Sequence, residues 1–117
     1  MQPDDKSYDI KACLADIELS ILEIYDFLPS ENDFIKFSTD KKSRKAVERN
    51  IEIIGEAMDR ILKTHPGFPI SNSRKIVDTR NRIIHGYDSV SSDVLWLIVT
   101  RYLPVLEKEV KDLLNKY

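Results

Sequence analysis

The chain has 117 residues, 42% of them hydrophobic and 32% charged, with only three glycines and one cysteine. That is enough to build a single core over residues 1–117, and too little for two domains. The lone Cys13 excludes an internal disulfide and a cysteine-cluster metal site, and no metal ligand set or cofactor motif is visible. The N-terminal MQPDDKSYD is acidic, and no apolar run approaches the ~20 residues that span a bilayer, so the expectation is a cytoplasmic protein with no membrane partner.

Taken in chain order, Ile10, Leu14, Ile17, Ile21, Ile24 and Leu28 recur at spacings of four and three and predict a first helix of about 20 residues, ended by Pro29. Ser30 with Asp33 reads as a capping box for a short helix over 30–38, with Phe34, Ile35 and Phe37 turned inward. Val47, Ile51, Ile54, Met58 and Ile61 predict a long helix from about Asp40 to Thr64, and Gly55 inside it marks a close helix crossing. His65-Pro66-Gly67-Phe68-Pro69 is a loop, and His65 reads as an ordinary exposed residue.

Ser71-Asn72-Ser73 supplies N-cap residues for a helix over 73–85, closed by Gly86 in the left-handed C′ position. Ser91 and Ser92 start a final helix through Leu95, Ile98, Val99, Tyr102, Leu106, Val110 and Leu113, with a kink where Pro104 displaces the carbonyl of Thr100. Trp96 falls within this amphipathic helix and reads as core rather than as a stacking platform for bases. No strand pattern appears, and the predicted architecture is an all-α, antiparallel up-down bundle of four principal helices with an extra short one.

The net charge of −2 hides an asymmetry. Residues 1–35 carry nine acidic side chains against two basic ones, a balance of −7, whereas residues 36–82 carry twelve basic against six acidic, or +6. Lys41, Lys42, Arg44, Lys45, Arg49 and Arg82 are therefore candidate contacts for a polyanion, although charged runs of this kind are also ordinary solvated helix faces.

The basic half leads into Arg80-Asn81-Arg82-Ile83-Ile84-His85-Gly86-Tyr87. Arg offers a planar fork of donors for phosphate oxygens, His exchanges a proton near neutral pH, and Tyr adds a hydroxyl. At about 100° per residue, Arg80 and His85 stand roughly 140° apart around the helix, so a site using both must lie near the helix end, where the negative pole of the helix suits a general acid. Asn81 shares a face with His85 and either orients the reacting groups or makes an ordinary helix-end hydrogen bond. Glu52 and Glu56, four apart on the long helix, can anchor Arg80 across the bundle or simply be solvated.

Cleaving RNA without metal needs a base for the 2′-hydroxyl, an acid for the leaving 5′-oxygen and positive charge on the phosphate. One chain supplies only one well-placed histidine. A two-fold homodimer that brings two Arg80 and two His85 into one cleft closes that gap, and RNA is then the expected substrate.

The run from Arg80 to Tyr87 matches the R-x4-H-x-Y signature of HepT-like ribonuclease toxins in the HEPN superfamily, including the Asn after Arg. The block Ala46-Val47-Glu48-Arg49-Asn50-Ile51-Glu52-Ile53-Ile54-Gly55-Glu56-Ala57, and the late helix with Trp96 and Leu103-Pro104-Val105-Leu106, are also similar to that family. The resemblance implies a HEPN-like helical fold and Arg80 and His85 as the catalytic pair of a metal-independent endoribonuclease; no cofactor is expected, and Asn81 and Glu56 stand as the candidate supporting residues. It further implies the toxin of a type II toxin–antitoxin pair, silenced by an MntA-type nucleotidyltransferase that transfers AMP to Tyr87. The alternative is a non-catalytic HEPN module that binds and assists such a nucleotidyltransferase; relatives of that kind generally lack an intact Arg–His motif.

Overall fold

In a computed structural model of the chain, residues 5–28, 33–85 and 90–116 are described, those from 5 to 8 by backbone alone. Helix α1 runs Asp5–Phe27, α2 Phe34–Thr39, α3 Lys41–Thr64, α4 Ser73–His85, α5 Ser92–Leu97 and α6 Leu103–Leu114, with one wide π-type turn, Ile98–Tyr102, joining the last two. There is no strand among the described residues. The fold is all-α and HEPN-like, as the sequence predicts.

The apolar stripes do what their spacing dictates. Ile10, Leu14, Ile17, Ile21 and Ile24 of α1 and Val47, Ile51, Ile54, Met58 and Ile61 of α3 are all buried, and the two helices pack along each other. Leu95, Ile98, Val99, Leu106, Val110 and Leu113 close the core from the C-terminal side, where α6 lies on α1. Helix α4 packs on the opposite flank of α3, so the order of neighbours across the molecule is α4, α3, α1, α6. The result is a flattened body of 50 × 31 × 22 Å with α3 as its central rod.

Local details depart from the sequence reading in several places. Asp33 is not inside the short helix: it is the N-cap of α2, accepting the Lys36 N–H at 3.1 Å, while Ser30 lies outside the described residues. Ile35 faces solvent, at 73% exposure, because a helix this short has few inward positions and Phe37 fills the core-facing one, with Phe34 half-buried. His65 is half-buried rather than exposed, its Nδ1 2.9 Å from the Thr64 hydroxyl and its ring edge-on to Phe68.

The final helix is also not a simply kinked rod. The Leu103 N–H reaches back to the Ile98 carbonyl, five residues earlier, and the wide turn leads directly into the first turn of α6, where Pro104 sits without an N–H to donate. The Thr100 hydroxyl donates to the Trp96 carbonyl at 2.7 Å in the same stretch.

Trp96 packs at the edge of the core, its ring 5.2 Å from Phe37 and 5.9 Å, edge-on, from Phe34. Among the described residues, no helix is long and apolar enough to cross a membrane.

Candidate ribonuclease site

Helix α4 owes its placement to its N-terminal end and one buried face. At its start the Asn72 carbonyl accepts the Ile76 N–H at 3.2 Å, with Asn72 in the left-handed region at φ 59° that its short amide tolerates. Ser71 does not cap the helix: its N–H and hydroxyl both donate to the Glu109 carboxylate of α6, the hydroxyl at 2.7 Å. Ile76, Val77 and Thr79 form the buried face. An eight-residue connection, 65–72, returns α4 alongside α3, so its C-terminal end runs toward the basic N-terminal half of that helix.

Arg80 is set deep in this contact. Its side chain is only 15% exposed, its stem lies across Gly55 of α3, and its Nη2 is 3.0 Å from Oδ2 of Asp59. A Cβ added at Gly55 would collide with Cβ of Arg80 and stand 2.9 Å from its Cγ, so the close crossing expected at this glycine is where the motif arginine passes. Its Nε is shut off from solvent with no hydrogen-bond partner among the described residues.

Asp59 also takes Lys63 at 3.2 Å. Partial burial pushes the Asp59 carboxyl up, but its contacts with Lys63 and Arg80 outweigh that and hold it below the usual carboxylate value.

The anchor of Arg80 is therefore Asp59 and not Glu52 or Glu56. Glu52 pairs with Arg49 at 3.2 Å, and Glu56 points to solvent, 3.9 Å from Arg60. Position 59 is one turn beyond Gly55 on the same helical face, whereas Glu56 is rotated by about 100° from the glycine. The glycine signals the crossing, but not which acidic side chain meets Arg80 there.

His85 is the last residue of α4 and is exposed, and Asn81, one turn before it, is half-buried. The described part of the motif, Arg80 to His85, thus has one end clamped in the α3–α4 contact and the other at the end of α4. Gly86 and Tyr87 lie outside the described residues.

Of the basic positions, Lys41, Lys42, Lys45, Arg49 and Arg82 are exposed. Arg44 is half-buried with its Nε enclosed and unpartnered. Glu48 lies among them: burial holds its carboxyl above the usual value, with Arg44 and Lys45 offsetting only part of that rise. Together with the Arg49–Glu52 pair, this acidic residue leaves the N-terminal half of α3 less positive than a count of its cations suggests.

Comparison with known proteins bears on this arrangement. The family described as ribonuclease HepT-like matches residues 17–113, which takes in α3, the clamped arginine and the helix-end histidine. The chain belongs to the HepT-like ribonuclease family. A Thermococcus cleftensis protein named "Probable ribonuclease HepT" is 36% identical over 107 residues, covering 88% of this chain and 94% of its own. Two Methanocaldococcus jannaschii proteins, each named a "putative RNase", are 31% identical over 111 residues and 36% identical over 104. The first alignment covers 92% of this chain and 88% of the relative, the second 88% and 94%. No solved structure matches the chain. The clamped Arg80 and exposed His85 are thus features of a HepT-like ribonuclease fold whose relatives match it across nearly its full length.

Proposed function

We propose that this HepT-like protein is a metal-independent endoribonuclease, the toxin of a type II toxin–antitoxin pair, working as a homodimer whose two copies of Arg80 and His85 share one cleft. The observation that carries the reading is a fixed arginine on the same helix as an exposed terminal histidine, next to a helix whose N-terminal half bears exposed Lys41, Lys42, Lys45 and Arg49. A deeply seated guanidinium is a preorganised phosphate ligand, and an imidazole at a helix end is open to solvent-borne substrate.

In the proposed reaction one histidine takes the proton from the 2′-hydroxyl as that oxygen attacks phosphorus. Arg80 stabilises the charge gathering on the phosphate oxygens. The second copy's His85 protonates the departing 5′-oxygen as the P–O5′ bond breaks, leaving a 2′,3′-cyclic phosphate and a 5′-hydroxyl. Asn81 supports this geometry from one turn before His85. Glu56, the other supporting candidate, faces solvent 3.9 Å from Arg60, from where it would act only through bound RNA. Regulation in this reading is AMP transfer to Tyr87 by a cognate MntA-type nucleotidyltransferase, because added phosphate beside the cationic cleft would neutralise it and block RNA.

The test is cleavage of RNA by the purified protein in EDTA. Products ending in cyclic phosphate, lost in both His85→Ala and Arg80→Ala, support the proposal; undiminished cleavage by both variants overturns it. For regulation, intact mass after incubation with the nucleotidyltransferase and ATP should rise by one AMP in the wild type and not in Tyr87→Phe.

A further inference from the structure

We propose that Asp59 is the positioning residue for Arg80, acting from the turn of α3 that follows the slot opened by Gly55. The inference rests on the ribonuclease reading of Arg80 and adds a residue to it. An arginine side chain has four rotatable bonds, and a phosphate ligand that samples them all is poorly placed for catalysis. Here the freedom is removed in two steps. Gly55 lets the first two carbons of Arg80 lie against the backbone of α3, in space that any other residue would fill with its own Cβ. Asp59, one turn further along the same face, then meets the far end of the side chain through a single contact, Nη2 to Oδ2 at 3.0 Å.

A bidentate pair would occupy one whole edge of the guanidinium. A single oxygen on a single nitrogen aligns the group and leaves other Nη N–H donors for an anion. Lys63, 75% exposed, draws on the same Asp59 oxygen at 3.2 Å. The carboxylate therefore carries two cations and is only partly spent on Arg80, which favours alignment over tight capture. Its depressed protonation, noted above, keeps it charged through the neutral range.

A purely structural role for the pair predicts something different. The apolar contact of α4 with the body is already supplied by the buried Ile76 and Val77, and the Asp59 side of the pair is open to solvent, at 24% exposure. Moreover, a carboxylate beside the site lowers its positive field and so opposes RNA binding. Removing the charge should leave binding equal or tighter while turnover falls. A residue that only held the fold would not separate the two.

The experiment measures kcat and KM for RNA cleavage in EDTA with wild type, Asp59→Asn, Asp59→Glu, Arg80→Ala and the double variant Asp59→Asn/Arg80→Ala, with a thermal melt of each. The expected result for Asp59→Asn is a folded protein with kcat down about ten- to a hundredfold, the scale of a misplaced catalytic group, and KM unchanged or lower. Asp59→Glu should recover part of the loss, and the double variant should be no slower than Arg80→Ala alone, because Asp59 acts only through the arginine. Wild-type kcat in folded Asp59→Asn, alongside an inactive Arg80→Ala, overturns the positioning role and leaves the ribonuclease reading standing. Full activity in Arg80→Ala overturns both. A further slowing of the double variant below Arg80→Ala also overturns it, since Asp59 would then act by another route.

Discussion

Ser71, in the loop before α4, and Glu109, on α6, are joined by three close contacts: the Ser71 N–H reaches both carboxylate oxygens, at 3.0 and 3.3 Å, and the hydroxyl reaches one at 2.7 Å. This is a tie between elements 38 residues apart in sequence, and it fixes the entry to the helix that carries Arg80 and His85.

Glu109→Ala should therefore destabilise the protein by about 1–2 kcal/mol, toward the low end for hydrogen bonds to a charged group because the site is exposed. Thermal melts followed by circular dichroism should show Tm lower by several degrees. Ser71→Ala should add little once Glu109 is gone, and full additivity of the two substitutions would show that the tie does not act as one unit.

Acid should weaken the fold through two aspartates. Asp40 caps α3, and the Ser43 hydroxyl, at 2.7 Å, and the Ser43 N–H hold its carboxyl below the usual value; Asp59 is held below it by Lys63 and Arg80 against the effect of burial. A group whose folded-state pKa is depressed adds stability that is present above its unfolded value, about 3.9 for Asp, and disappears as pH falls through the folded value. Tm should be level from neutral pH down to about pH 5 and then fall. Asp40→Asn keeps an N-cap acceptor but cannot titrate, so its acid fall should be shallower; an identical fall in wild type and variant would remove Asp40 from the account.

The exposed cations of α3 should be read out by salt. In the cleavage-deficient His85→Ala background, substituting Lys41, Lys42 and Lys45 together by Glu should weaken RNA binding and flatten its dependence on ionic strength. Each lost phosphate contact lowers the log–log slope by about 0.7 for a single strand. Filter binding between low and moderate salt would measure this, and an unchanged slope would place the RNA path elsewhere.

Most of the helical framework is legible in the chain because its stripes are regular: ten apolar positions of α1 and α3 read from spacing alone are all buried. The close crossing was legible too, since a glycine within a strong helix has few other reasons to be there. What could not be read is which acidic side chain lies across from Arg80. Asp59, Glu56 and Glu52 all fall within two turns, and the choice depends on how α4 rotates on α3, a tertiary fact that local spacing does not encode. Ile35 misled for a related reason. Its neighbours are apolar, but with Asp33 as cap the helix begins at Phe34, and that phase turns Ile35 outward.

The wide turn at Ile98–Tyr102 carries a consequence for comparing sequences. Such a turn accommodates one residue more than a regular α-helix of the same rise. A family member one residue shorter here would run as regular α-helix, and everything after the missing position would keep its phase about the axis, because the wide turn is what takes up the extra residue. A single-position gap between Ile98 and Leu103 in an alignment would thus mark loss of the wide turn rather than a change of register, and deleting the exposed Arg101 from this chain should leave Leu106, Val110 and Leu113 together on the core.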